Sequence, residues 1–259
     1  MSHYDIPRHA LLSPRQLSPC WLLLCLYAAP LDAQSVEELV QKNLLAHGGI
    51  DKIKSIHSLR ITGRLQQGSM SAQVGREAMA PDLIRGTFTL QGMTEINAYD
   101  GSTGWKISPF EGRKDPELLG EDDLRDLVED ADFYGPLVDH QAKGNKIEYL
   151  GHDIVDGDDA FKMKVTLKNG DIMYYFLDPE TFLEIRIEKV QFIRGAVRET
   201  YREPGSYKLV NGVYFPFAIE FGNKQRPGDT TKITIDKMEA NVPLDKKRFE
   251  MPESPGGGR

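Results

Sequence analysis

Four histidines in the main part of the chain could take part in metal binding or general acid–base chemistry: His47, His57, His140 and His152. They lack the spacing of metal ligands, so each is predicted to be a surface or capping residue. The sequence contains no Gly-x-Ser-x-Gly, Walker or His-Glu-x-x-His motif. We therefore predict no catalytic residue, no metal site and no cofactor, and a protein that is not an enzyme.

Acidic side chains cluster at two places. Asp156-Gly157-Asp158-Asp159 lacks the spaced oxygen ligands and distal Glu of a calcium loop, and it is predicted to be a charged turn. Glu121-Asp122-Asp123 opens a predicted helix, where carboxylates interact favourably with the helix dipole. The net charge is −7 and no block of five or six Lys or Arg residues occurs. These features exclude a nucleic-acid partner.

Residues 1–33 have the pattern of a secretory signal peptide. Arg8 and Arg15 precede an apolar run at residues 21–29, and Ala33 offers a small residue for cleavage before Gln34. The run is shorter than the roughly 20 residues of a membrane span, which favours a signal peptide over a membrane anchor. Both cysteines lie in this segment, and neither follows a small residue as lipidation would require. The mature chain would therefore be exported without disulfides or a lipid anchor.

The clearest structural pattern lies at residues 160–192. Apolar residues alternate with polar ones over residues 161–167, Asn169-Gly170 predicts a type I′ hairpin turn, and a second strand covers residues 172–177. Pro179 ends that strand, and alternation resumes over residues 183–187. This segment predicts a three-stranded antiparallel meander.

The remaining chain extends this sheet and adds helices. Ser35 and Glu38 form a capping box for an N-terminal helix that ends at Gly48-Gly49, and residues 116–131 predict an amphipathic helix in mid-chain. About eleven strands are predicted in all, including one continuous strand over residues 213–221. We predict one mainly β domain with helices, residues 34–252, followed by a disordered tail, residues 253–259.

So many antiparallel strands should curl into an incomplete barrel, whose interior is either a hollow or a core packed solid by helices. The strand count and the acidic mid-chain helix, which could act as a movable lid, favour an apolar hollow for acyl chains. The predicted ligand-binding residues are Phe161, Met163, Val165, Leu183, Ile185, Phe215, Phe217 and Ile219, with Trp105 at the mouth.

A series of short segments resembles the periplasmic lipoprotein-localisation carriers, the LolA/LolB-like superfamily. In order they are helix-Gly-Gly-helix, SLRITGRL, APDLIRGTF, AYDGSTGW, the mid-chain helix, VTLKNG, YFLDPETFLEIRI, GVYFPFAIE and ITIDKMEANVPLDKKRFEMP. The resemblance covers nearly all of the mature chain. It implies an incomplete antiparallel β-barrel around an apolar cavity covered by helices.

The resemblance also implies a lid and its latch. The lid residues would be Leu124, Leu127 and Val128, with Arg85 nearby. Carriers of the family typically have an Arg directly before the Pro that opens the adjoining strand, and this Arg helps to latch the lid, but here the position is Ala80. Arg76 or Arg85 could substitute for it.

Two functional hypotheses follow from these patterns. The first is a periplasmic carrier of a Gram-negative type envelope, which binds the acyl chains of a lipid or lipoprotein and passes them between a membrane-associated donor and acceptor towards the outer membrane. The alternative is a secreted structural or protein-interaction module with a solid core and no lipid cargo.

Overall fold

The computed structural model describes residues 35–253. The predicted signal peptide, residues 1–33, and residues 254–259 of the predicted tail lie outside the described residues. Among residues 35–253, no helix has both the length and the apolar character needed to cross a bilayer.

The described part of the chain contains three α-helices and fifteen strands. The helices are α1 (Val36–Ala46), α2 (Ile50–Lys54) and α3 (Glu121–Ala131), with short 3-10 helices at Pro109–Glu111 and Lys246–Arg248. The first seven strands are β1 (Ser58–Gln67), β2 (Met70–Met79), β3 (Leu83–Leu90), β4 (Met93–Tyr99), β5 (Gly104–Ile107), β6 (Glu117–Leu118) and β7 (Lys146–Val155). The others are β8 (Asp158–Thr166), β9 (Ile172–Leu177), β10 (Glu184–Ile193), β11 (Ala196–Gly205), β12 (Lys208–Val210), β13 (Val213–Phe215), β14 (Ala218–Asn223) and β15 (Arg226–Ala240).

Thirteen strands form one antiparallel sheet, and β12 and β13 form a separate hairpin. The order across the large sheet is β6-β5-β4-β3-β2-β1-β15-β14-β11-β10-β9-β8-β7. The edge strands β6 and β7 do not pair with each other, so the curved sheet stays open. The predicted class, a mainly β protein with a curved incomplete barrel and helices, is confirmed, although the described strands outnumber the eleven predicted.

The position of α3 follows from this topology. Residues 119–145 connect β6 to β7, which are the two opposite edges of the sheet. Within this connection, α3 contacts β3, β4 and β5 of one half of the sheet and Lys189 of β10 in the other half, so it crosses the open side. The predicted helix begins later than expected, at Glu121, because Glu117–Leu118 pairs with β5 as the short strand β6.

The main core lies between α1 and the sheet. Ser35 caps α1 by accepting a hydrogen bond from the amide of Glu38 at 3.1 Å, as the capping box predicts. The apolar stripe of the helix, with Leu39 and Leu44 buried, packs against strands β8 and β9. Met163 of β8 is fully buried in this cluster. The core here is therefore solid.

The two Asn-Gly sequences form different hairpin turns. Asn211 and Gly212 both have positive φ, 49° and 84°, as a type I′ turn between β12 and β13 requires. Gly170 has a φ of 90°, but Asn169 is not among the residues with positive φ. The amide of Gly170 donates to Leu167, which makes a three-residue loop rather than the predicted type I′ turn. The hairpin is correct, but its turn type was wrong.

Two interruptions change which residues face the interior. In β10 a bulge between Glu184 and Arg186 breaks the alternation, so Glu184 and Ile187 share the helix-covered face. The predicted strand over residues 213–221 is split at Pro216, since β13 pairs with β12 and β14 pairs with β11.

Candidate ligand-binding cavity

A cavity of about 350 Å³ lies on the helix-covered face of the sheet. Its volume falls within the range of small-molecule binding sites, roughly 300–1,000 Å³. The apolar part of its wall consists of Leu44, Ile53, Ile56, Leu59, Phe133, Leu137, Val138, Met173, Ile187, Val213, Phe215 and Ile219. Such a wall suits an apolar ligand.

The sheet supplies the floor of the cavity through period-two alternation. Tyr175 of β9 is opposite Ile187 of β10, which is opposite Arg202 of β11, and all three line the cavity. Leu59 of β1 and Ile219 of β14 continue the floor across the sheet. The cavity thus extends across the sheet instead of lying between two strands.

Helices and a loop form the opposite wall. The segment 132–138 follows α3, and its Leu137 and Val138 are buried against the core below α1. The amide of Phe133 donates to the carbonyl oxygen of Pro81 at 3.1 Å, which fastens this segment to the loop before β3. The last turn of α3 contributes Glu129 and Asp130.

A polar cluster of two buried side chains, Asn43 and Glu184, and two half-buried ones, His47 and Tyr207, occupies one part of the wall. Asn43 and His47 are one helical turn apart, so both reach the sheet from α1. Glu184 Oε1 accepts from Asn43 at 2.9 Å, while Oε2 accepts from Tyr207 at 3.0 Å and lies 2.8 Å from His47 Nε2. These four side chains join α1, β10 and the residue before β12.

Burial and charge act against each other in this cluster. Burial alone would raise the pKa of Glu184, but the His47 charge and the hydrogen bonds from His47 and Asn43 outweigh it and lower the pKa to about 2. Burial alone would lower the pKa of His47, but the charge and hydrogen bond of Glu184 outweigh it and raise the pKa. Burial first, and then the Glu184 charge, raise the pKa of the Tyr207 hydroxyl. The favoured state is an ion pair.

The geometry of His47 suits positioning rather than proton transfer. Its Nδ1 lies 2.8 Å from the carbonyl oxygen of Tyr214, while Nε2 faces Glu184. Both neighbours are acceptors, so the ring fits best with both nitrogens protonated, and it then has no lone pair to act as a base. Among residues 35–253, no group of three or more His, Cys, Asp or Glu side chains is placed to hold a metal ion.

The predicted ligand-binding residues are distributed over several places. Phe215 and Ile219 line the cavity. Phe161, Met163 and Val165 instead form the solid core below α1, because β8 lies beneath the helix. These three residues do not line the cavity.

Leu183, Ile185 and Phe217 do not line it either. The bulge in β10 turns Ile185 to the opposite face of the sheet, where it packs against Val155, Ala160 and Phe176. Leu183 is half-buried at the turn before β10, and Phe217 is buried at the break between β13 and β14, beneath the Lys208 ammonium.

Trp105 lies away from the cavity mouth. It is buried, and its indole N–H donates to the carbonyl oxygen of Phe249 at 2.7 Å. Its neighbour Gly104 faces the other way, towards Leu124 of α3. Trp105 is therefore on the face covered by the C-terminal segment, and its prediction as a mouth residue requires correction.

The predicted lid residues are partly on the buried side of α3. Leu124 packs over Gly104 and Leu127 is half-buried, but Val128 is 41% exposed. Arg85 lies near Glu77 on the face opposite α3, so it does not contact the helix. Arg76 does contact α3, because its guanidinium donates to the carbonyl oxygen of Asp130 at 2.5 Å.

Charged and amide side chains fasten α3 to the strands across the opening. Arg125 forms a bidentate pair with Asp171, a residue that is 1% exposed. Asp126 accepts from Lys189 at 2.9 Å and from Gln191 at 2.8 Å. The helix is thus bound at its Leu124 side to β3–β5, and at its charged side to β10 and to Asp171, the residue before β9.

The sequence patterns do not predict the polar cluster or these helix contacts. His47 has the pattern of a lone surface or capping residue, and Glu184 occupies a polar position of an alternating strand. The four-residue separation of Asn43 and His47 was the only local signal that one side of α1 carries polar groups towards the sheet.

No protein-family model matches the sequence, and no sequence among curated proteins matches it either. Solved structures do share its fold. A LolA superfamily protein from Nitrosomonas europaea is 12% identical with a TM-score of 0.58, over 84% of this chain and 98% of that one. A domain from Vibrio parahaemolyticus, named as an outer membrane lipoprotein-sorting protein, is 14% identical with a TM-score of 0.56, over 82% and 94%.

A DUF1329 family protein from Desulfovibrio piger is similar to the same degree, with 14% identity and a TM-score of 0.57 over 83% of this chain and 97% of that one. All three alignments span most of residues 35–253. The resemblance to the LolA/LolB-like superfamily is therefore confirmed at the level of the fold.

Proposed function

Starting from the LolA-like fold, we propose that this protein is an envelope carrier that binds the acyl chains of a lipid or lipoprotein. The observation that carries the proposal is the apolar cavity of about 350 Å³ between the sheet and its helices. Each CH₂ group moved from water into such a site contributes about 0.8 kcal/mol, so a single chain would be held firmly.

The neighbouring structures support a carrier in preference to an enzyme. One is named as an outer membrane lipoprotein-sorting protein and another as a LolA superfamily protein. His47, the histidine in the cavity wall, has both ring nitrogens occupied by acceptors. We propose that no bond is made or broken in the cavity.

We also propose how the protein is exported, loaded with its cargo and unloaded. Residues 1–33 would direct export to the periplasm, a membrane-associated donor would load the cavity, and an acceptor would receive the cargo at the outer membrane. Because α3 crosses the open side of the sheet, its displacement would let the acyl chain enter and leave.

Native mass spectrometry tests the proposal directly. The chain is exported to a bacterial periplasm, purified without detergent, and its co-purifying lipids are extracted and identified. Near-stoichiometric lipid is the expected result. A lipid-free mass, together with no binding of added fatty acids or phospholipids, would instead favour an interaction module without cargo.

A matched pair of variants assigns the lipid to the cavity. Ile219→Asp places a carboxylate in the apolar floor and should reduce lipid retention at least about tenfold, because the charge cannot be buried beside an acyl chain without cost. Ile154→Asp makes the same change at a position that is 63% exposed and should retain lipid. Equal retention in both variants would exclude this cavity as the binding site.

A further inference from the structure

Two arginines line the cavity without an acidic partner among residues 35–253. The guanidinium of one, Arg76, donates to the carbonyl oxygen of Asp130. Arg202 lines the cavity from β11, beside Ile187. Among residues 35–253, no carboxylate oxygen lies within 4.0 Å of its guanidinium. Arg198 on the same strand, by contrast, pairs with Asp126 at 3.1 Å.

Two acids of the cavity wall have other partners. Glu184 is bound by His47 at 2.8 Å, and Glu129 lies 2.9 Å from Lys189. Two further acids of the wall follow in α3 and after it: Asp130, which is exposed, and Asp132, which is bound by Lys143. Within the described part of the chain, Arg202 therefore has no carboxylate in direct contact.

A guanidinium that lines a largely apolar cavity is a suitable binding group for an anion. Its planar set of N–H donors matches a carboxylate or phosphate bidentately, and removal from water strengthens the interaction. Tyr175, which is buried and opposite Ile187 in β9, has its hydroxyl close enough to the Arg202 guanidinium to interact with it.

We propose that the cavity selects amphiphiles with an anionic head, a carboxylate or a phosphate monoester or diester, and that Arg202 binds this head while the chain lies along the apolar floor. The inference rests on the proposed carrier function and specifies its ligand class. It assigns the anionic head to the floor near β11 and not to solvent.

The test compares ligands that share one chain but differ in head. Delipidated full-length protein is titrated by calorimetry, below the micelle concentration, with oleate, oleoyl lysophosphatidylglycerol and neutral methyl oleate. We expect the better anionic ligand to bind at least about tenfold more tightly than methyl oleate, since hydrogen bonds to charged groups contribute that much. Whether oleate or the phospholipid binds more tightly identifies the source of the head.

Two variants assign this preference to Arg202. Arg202→Gln should remove the preference for the anionic head and leave methyl oleate binding nearly unchanged. Arg64→Gln, an exposed arginine that pairs with Asp236 outside the cavity wall, should retain the preference. Circular dichroism verifies the folding of both variants.

Three outcomes would overturn the inference. Wild-type protein that binds methyl oleate as tightly as both anionic ligands has no head selectivity, whatever the variants do. Equal losses for charged and neutral ligands in Arg202→Gln would make the arginine structural. Failure of all three ligands to bind wild-type protein would reject the carrier function as well, which separates that failure from the first two.

Discussion

His47 and Glu184 form an ion pair that connects the end of α1 to the interior face of β10. The Nε2 atom of His47 lies 2.8 Å from Oε2 of Glu184, and the Glu184 side chain is almost completely buried. Hydrogen bonds from Asn43 and Tyr207 complete the surroundings of the carboxylate. A buried carboxylate with this many donors makes the protein's stability dependent on pH.

The pair should stabilise the fold most between about pH 4.5 and 6.5. The pKa of Glu184 is lowered from 4.5 to about 2, so its contribution is complete above pH 4.5 and is lost as the pH falls towards 2. The pKa of His47 is raised from 6.5, so its contribution is complete below pH 6.5 and is lost as the pH rises through the raised value. Full protonation of Glu184 should lower the free energy of unfolding by an amount on the order of 3 kcal/mol.

Urea unfolding of wild-type protein and of Glu184→Gln measures this dependence. The difference in the free energy of unfolding should be largest near pH 5.5 and should shrink towards pH 2.5, where the wild-type carboxyl is also becoming protonated. It should shrink at alkaline pH too, as His47 loses its charge. A difference that stays constant across this range would contradict the ion pair.

Tyr207→Phe should lower the free energy of unfolding by about 1–3 kcal/mol, because a hydrogen bond to a buried charged group is lost. The Tyr207 hydroxyl lies 3.0 Å from Oε2 of Glu184 and 2.9 Å from its carbonyl oxygen. Tyr214→Phe is the control, since that side chain is 40% exposed and its hydroxyl is not in this cluster. Chemical denaturation at pH 6 compares them, and equal effects would argue against a role of the Tyr207 hydroxyl.

Gly48→Ala should destabilise the protein strongly. Gly48 has a φ of 119°, and a Cβ added there would lie 2.2 Å from the carbonyl oxygen of Gly212 in the β12–β13 turn. Gly49→Ala is the matched control, because Gly49 also has a positive φ, 93°, but nothing lies within 4 Å of its Cβ position. Thermal and urea unfolding should show a loss at least about 2 kcal/mol larger for Gly48→Ala, from the steric overlap alone. Similar losses would mean that strain in φ dominates at both positions.

Local patterns were sufficient to predict the architecture. The capping box at Ser35, the alternation in residues 161–167 and the hairpin at Asn211-Gly212 each depend on neighbours in the sequence, and the structure contains all three. An antiparallel sheet with short connections is determined largely by such signals. The curved open sheet followed from the number of strands.

The cavity wall could not be predicted in the same way. Alternation assumes an unbroken strand, and a one-residue bulge after Glu184 exchanges the two faces, so that Glu184 points inwards and Ile185 outwards. Pro216 interrupts the predicted strand over residues 213–221. The burial of Trp105 depends on the C-terminal segment around Phe249, which is distant in sequence. These features depend on tertiary contacts, which no local pattern records.

The pair between Arg125 of α3 and the buried Asp171 should control how often the helix leaves the opening. Arg125→Gln removes the charge and leaves Asp171 to Gln191 and Asn169. Because a buried carboxylate without its cation is costly, we expect amide hydrogen exchange in α3 to accelerate at least about tenfold, with α1 unaffected. Arg113→Gln is the control, since Arg113 pairs with Glu117 on the surface, where an ion pair contributes little. Under the carrier proposal, Arg125→Gln should also release bound lipid faster than the wild-type protein. Unchanged exchange in α3 would show that Leu124 and its apolar contacts hold the helix without the ion pair.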